Sequence, residues 1–262
     1  MRRYLTTAAV SMLVAAAWPC HADEATARRE LAASLSRQEA LFRQSFSLPV
    51  TSPEVNALLS AEIARNTQAI GMPMQLTISH FTYDHAPAQS RIALHLANLA
   101  PAQAEFMERQ ANQMIQGSGI DDALKLVALD AFKEGLAFLS ARQGASQLRN
   151  ETPAVADFSV DGGQQELMPG LTLSEVWFRF ERQAKAITAI QFRFSNGRKL
   201  MARMRYTEAA LPGGGTVPVP AAAEITQDAM TAPQDGVTIP PKVTLRYGTC
   251  TFRRMPPAAP AP

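Results

Sequence analysis

From about residue 174 to residue 247, large apolar side chains recur at every second position, with arginine and lysine between them. Only an extended strand sends alternate residues to opposite faces; a helix repeats every 3.6. One set holds Val176, Phe178, Phe180, Ile190, Phe192, Phe194, Leu200, Met204, Tyr206, Val243, Leu245 and Tyr247. The other holds Arg179, Arg193, Lys199, Arg203, Arg205, Lys242 and Arg246, with Trp177 and Met201 among them. The pattern predicts an antiparallel sheet with one greasy face, which something else in the chain must cover.

The register follows from the turn at Asn196-Gly197. A two-residue type I′ loop, the usual Asn-Gly hairpin, sets Phe192 opposite Met201 and Ile190 opposite Arg203, mixing the faces. A three-residue loop of Ser195-Asn196-Gly197, with Gly197 left-handed in a bulge, sets Phe192 opposite Leu200 and Ile190 opposite Ala202. A one-residue slip moves a whole apolar set to the wrong side. Each large side chain left unburied forfeits about 1.5–3 kcal/mol, so the bulged loop is expected.

Other strands are expected over 156–160, 175–182, 186–195, 198–208, 223–230 and 237–252. Leu211 to Pro220 holds three glycines and three prolines and reads as an exposed loop.

The first half is mostly helical in pattern. Residues 28–47 read as a helix ended by Leu48-Pro49. A second starts at Ser52-Pro53-Glu54, a cap, a proline in the first turn and an acid at the positive dipole end. It buries Val55, Leu58, Leu59 and Ile63 and stops near Gly71. Residues 75–84 and 90–99 form a hairpin whose opposed numbers sum to 175, so Phe81 faces Leu94 and Tyr83 faces Ile92. Helices follow over 102–116, ending at Gly117-Ser118-Gly119, and over 121–142, starting at Asp121-Asp122. The latter buries Leu124, Val127, Ala128, Ala131, Leu136 and Leu139, while Lys125, Asp130, Lys133 and Glu134 interrupt the apolar run. That is an amphipathic helix, not a membrane span. The fold class is α+β: a curved antiparallel sheet, or half-barrel, covered by helices from the N-terminal half.

Residues 1–22 read as a cleaved signal peptide: Arg2 and Arg3, an apolar run from Leu5 to Trp18, then cleavage after Ala22. Pro19 before Cys20 is a poor lipidation context. The expected address is the periplasm. Residues 23–254 then form a single domain, helix-rich over 28–145 and strand-rich over 155–254, with 255–262 a disordered Pro/Ala tail. Without Arg2 and Arg3 the chain carries 23 basic and 23 acidic residues. Zero net charge and export speak against nucleic acid as a partner. Cys250 is the lone cysteine of the processed chain, so packing and not an internal disulfide must hold the fold.

Chemistry-bearing motifs are sparse. His80 falls opposite His95 in the hairpin, with Asp84 on the same face. Asp84 lies four residues on, roughly 13 Å along a strand, too far to close a metal site. There is no nucleophile elbow, phosphate loop or dinucleotide fingerprint. No catalytic residue, metal or cofactor is assigned, and the chain reads as a non-enzyme. The arginine face suits an acidic protein partner or anionic headgroups, or serves simply as a charged outer surface that resists aggregation.

Val176-Trp177-Phe178-Arg179-Phe180, Ile190 to Gly197 and Ile239 to Tyr247, with the leader and the helices ahead of them, resemble the half-barrel of periplasmic lipoprotein carriers of the LolA, LolB and LppX type. The resemblance implies acyl chains held in an apolar concavity and carried through the periplasm. Phe178, Phe180, Ile190, Phe192, Phe194, Leu200, Met204, Tyr206, Leu245 and Tyr247 are then the ligand-binding residues. Two readings stay open: a non-enzymatic carrier of a lipid or acylated ligand, or an interaction and assembly factor whose core is filled.

Overall fold

A computed structural model describes residues 24–69, 76–117, 124–168, 171–228, 230–231 and 238–253. The expected leader, the start at Asp121-Asp122, the stops at Gly71 and Gly119, and the tail at 255–262 lie outside these residues, as does the side chain of Val127.

The chain begins with helix α1 (Glu24–Phe42), strand β1 (Ser45–Thr51) and helix α2 (Pro53–Ala69). The hairpin β2 (Ile78–Ala86) and β3 (Gln89–Leu96) follows, then helix α3 (Pro101–Gly117). A π-helical turn, Leu126–Asp130, runs into helix α4 (Ala131–Ala141). The remaining strands are β4 (Gln147–Glu151), β5 (Val155–Asp161), β6 (Glu166–Met168), β7 (Leu171–Glu181), β8 (Ala186–Phe194), β9 (Lys199–Ala210), β10 (Thr216–Gln227), β11 (Met230–Thr231), β12 (Thr238–Ile239), β13 (Lys242–Tyr247) and β14 (Thr251–Arg253).

One open antiparallel sheet takes the order β3-β2-β1-β13-β10-β9-β8-β7-β5-β4, with β14 beside β1 and β6 beside β7. The α+β half-barrel expectation therefore holds. The β8–β9 loop is the bulged one: Phe192 pairs with Leu200, Ile190 with Ala202, and Gly197 has φ 83°. The β2–β3 pairing is also as expected, Phe81 with Leu94 and Tyr83 with Ile92. Its connection is tighter, since Ala86 already pairs with Gln89.

Three expectations are corrected. Residues 45–51 are a strand and not the end of a helix. Ser-Phe-Ser-Leu-Pro-Val alternates with period 2, and Phe46, Leu48 and Val50 are fully buried. Pro49 sits where β13 gives way to β14, and its carbonyl accepts the Gly248 N–H at 2.8 Å. A residue without an N–H suits a break in a ladder. The loop expected over 211–220 shrinks to five residues, because β10 begins at Thr216. Pro218 and Pro220 lie on the stretch of β10 that pairs with β9 alone, and a bulge at Ala221 precedes the stretch that also pairs with β13. Prolines are tolerated where a strand has one neighbour. The short strand β4 was not foreseen; its sequence, Gln-Leu-Arg-Asn-Glu, is too polar to show a pattern.

Helix α1 lies across β8 and β10. Gln38 fixes it: its amide donates to the Ile187 carbonyl at 3.2 Å and its carbonyl accepts the Ile187 N–H at 2.8 Å. Ser52 caps α2, accepting the Val55 N–H at 3.3 Å. Helix α3 shields the free edge of the sheet. Asn112 and Glu108, one turn apart, accept the outward N–H groups of Leu94 and Leu96 at 2.7 and 2.8 Å. Over Leu94–Leu96 the β3 edge thus has no open donor for a second chain; β4 forms the other edge of the sheet.

Candidate functional site: the apolar face and its cover

The ten residues expected to bind ligand share one side of the sheet. Phe178, Phe180, Ile190, Phe192, Phe194, Leu200, Met204 and Leu245 are each at most 8% exposed. Tyr206 and Tyr247 are partly buried and pack against the same core. The cover over this face is α1 and α4, through Leu31, Leu35, Leu136 and Leu139. At Gly135 the α4 backbone comes so close that a Cβ there would stand 3.0 Å from Ile190 Cδ1 and 3.2 Å from Phe192 Cζ. In this structure the protein's own side chains fill the middle of the face.

The seam between cover and sheet is polar at one point. The Tyr83 hydroxyl donates to Asp130 Oδ1 at 2.5 Å, and Ser90 Oγ lies 3.1 Å from the same oxygen. The Tyr247 hydroxyl donates to the Ala128 carbonyl at 2.6 Å. Both acceptors belong to the π-helical turn, a wider coil found preferentially at functional positions. Burial, and then the Asp130 carboxylate, push the Tyr83 phenol well up; burial does the same to Tyr247. These hydroxyls stay protonated and donate to the turn, and the Tyr83 hydroxyl also lies 2.9 Å from Ser90 Oγ. His85 adjoins: its Nε2–H donates to the Phe42 carbonyl at 2.9 Å, and Nδ1 lies 3.3 Å from Ser90. Burial lowers its pKa, against the pull of that carbonyl bond. Tyr206 donates to the Ile187 carbonyl at 2.9 Å.

Sequence reasoning missed Asp130, Tyr83, Ser90 and the Ala128 carbonyl. Asp130 looked like one of the charges on a solvated helix face. The signal was present only as a carboxylate inside an apolar run; its partners are 40 and 47 residues away.

A cleft of about 460 Å³ opens beside the cover, between α1 and the β7–β8 turn. It is lined by Glu30, Ala33, Ser34 and Arg37 of α1, with Phe180, Arg182 and Lys185. Phe180 thus belongs both to the apolar face and to the cleft.

The arginine face is as sorted, but carboxylates share it. Asp157 holds Arg179 through two bonds of 2.7 and 2.8 Å. Glu175 lies between Arg193 at 3.0 Å and Arg149 at 3.5 Å. Glu224 lies between Lys242 at 2.7 Å and Arg203 at 3.7 Å. Arg179, Arg193, Arg203 and Lys242 are paired within the sheet, while Lys199, Arg205 and Arg246 stay exposed on the same face. His80 and His95 stack at 4.4 Å, as their opposition implied. Asp84 turns away from them to Arg253, at 2.6 Å.

No protein-family model matches the chain, and no curated protein sequence does. Two solved structures are similar in fold. One is described as an outer membrane lipoprotein-sorting protein domain from Vibrio parahaemolyticus: 5% identity, TM-score 0.39, covering 88% of this chain and 94% of that one. The other is a LolA superfamily protein from Nitrosomonas europaea: 12% identity, TM-score 0.36, with the same coverages of 88% and 94%. The likeness is one of general architecture, and no residue role is transferred from it. No helix among the described residues is long and apolar enough to cross a membrane.

Proposed function

We propose that this chain is an exported, non-enzymatic carrier for a lipid or acylated ligand, its residues 23–254 acting as one domain behind a cleaved leader. The acyl chain lies on the apolar face after the 126–141 segment moves aside. The observation that carries this reading is the seam. Hydroxyl–carboxylate bonds at a lid contribute only about 1–3 kcal/mol each, because water replaces them when the lid opens. A cover meant to lift gains from them, because its groups find water when it opens. Tyr83, Ser90 and Tyr247 bond the turn in just that way.

The second reading, an interaction factor with a permanently filled core, is favoured by the close approach at Gly135. Native mass spectrometry of protein purified from its own host separates the two. The carrier retains a lipid-sized mass, or gains one on adding fatty acid or phospholipid. A bare mass that neither addition changes refutes the carrier.

A further inference from the structure

We infer that the cleft between α1 and the β7–β8 turn holds the anionic head of an amphiphile, with Lys185 as the cation that selects it. The inference rests on the carrier reading and adds the chemistry of the ligand's polar end.

Of the uncharged lining, Phe180 and Ser34 are each 3% exposed, while Ala33 is exposed on α1. Ser34 spends its hydroxyl on Gln38, at 3.2 Å. The uncharged lining is therefore small and adds no free hydroxyl. The rim is charged, and nearly all of its charge is committed. Arg37 pairs with Glu208 at 2.6 Å. Arg182 bonds Glu30 at 2.9 Å, Glu151 at 2.5 Å and the Thr152 carbonyl. Lys185 is left. It lines the cleft, is exposed, and has no hydrogen-bond or ion-pair partner for its amine among the described residues.

The backbone under Lys185 is unusual. Its φ is +49°, the left-handed region where glycine or asparagine is the economical choice. The turn closes through the Lys185 N–H on the Arg182 carbonyl at 3.3 Å. Lysine is thus not the residue the turn itself calls for. A long aliphatic stem ending in an unpaired ammonium suits one ligand class: an apolar tail with a single carboxylate or phosphate head. The volume falls within the ordinary range for small-molecule sites. Phe180 contributes to both the cleft and the apolar core, so the two lie side by side beneath α1.

The test uses the full processed chain and four probes in calorimetric titration: laurate, dodecyl phosphate, uncharged monolaurin and inorganic phosphate alone. Laurate and dodecyl phosphate should bind about fivefold more tightly than monolaurin, the ratio shrinking as salt rises. Lys185→Asn tolerates the left-handed backbone and removes the charge; it should abolish that ratio while monolaurin still binds. Lys185→Arg should keep it. Three results overturn the inference: equal binding of laurate and monolaurin by the wild type, an unchanged ratio in Lys185→Asn, or inorganic phosphate binding as tightly as dodecyl phosphate. In each, monolaurin binding leaves the carrier reading standing. If no amphiphile binds, both fall together.

Discussion

Replacing Gly135 with alanine tests how the apolar face is filled, with a sign set by two opposing terms. Alanine in a helix interior is worth about 0.5–1 kcal/mol over glycine. Against that, its Cβ stands 3.0 Å from Ile190 Cδ1 and 3.2 Å from Phe192 Cζ, inside normal carbon contact. Forcing an extra carbon into a packed core costs about 1–3 kcal/mol. The expected net is a loss of about 1 kcal/mol, or about 2–4 °C in Tm for a chain of this size. Urea and thermal unfolding of the two proteins read it. If the carrier reading is right, the strain exists only while the cover is down, so it also shifts the cover toward open. Affinity for laurate should rise by about fivefold for each 1 kcal/mol of strain. A stabilised Gly135→Ala variant refutes the packed description. A destabilised variant with unchanged affinity refutes the moving cover.

Three further outcomes are expected. Asn112→Ala should lower stability by about 1 kcal/mol, because it strips the Leu94 N–H of its acceptor, and should raise concentration-dependent aggregation through the β3 edge, read by light scattering; a purely monomeric variant of normal stability contradicts the edge-shielding role of α3. In the Arg179–Asp157 pair, Arg179→Ala should cost about 2–3 kcal/mol and Asp157→Ala about 1 kcal/mol. The reason is that Asp157 is 5% exposed and loses its cation partner among the described residues, whereas the Arg179 side chain is 41% exposed and can turn to water; equal costs would contradict this. Stability should also fall as pH drops below the ordinary histidine range. Burial, and then the neighbouring His95, lower the His80 pKa, while Glu108 opposes them; burial lowers that of His85. The unfolded chain thus binds more protons than the folded one, so stability is full above about pH 6.5 and declines as pH falls through the depressed values. His80→Gln should flatten the decline in denaturant midpoint, and a slope identical to wild type contradicts the assignment.

The two faces of the sheet were readable because period-2 alternation is local and register errors there are costly: the loop at Ser195–Gly197 and the Phe81–Leu94 pairing both followed from it. β1 was hidden because Leu41, Phe42 and Phe46 also fit helical spacing, so the period changed without punctuation. The first half of β10 was hidden because Pro218 and Pro220 were read with the glycines as loop, and only its one-sided pairing shows why they are tolerated; its second half lies within the strand expected from residue 223. The polar seam could not be read at all. Asp130 meets Tyr83 and Ser90, and Tyr247 meets Ala128, across separations of 40 to 119 residues that depend on how the cover lands on the sheet. The carboxylates among the arginines were visible as residues, yet Asp157, Glu175 and Glu224 were not counted as sharing that face.

Hydrogen exchange of the processed chain, with and without saturating laurate, addresses the cover itself. Lifting of the 126–141 segment predicts faster exchange of its amides on binding, while those of β7, β8 and β9 stay protected. Laurate that binds with those amides unchanged or slowed would contradict a ligand seated beneath them.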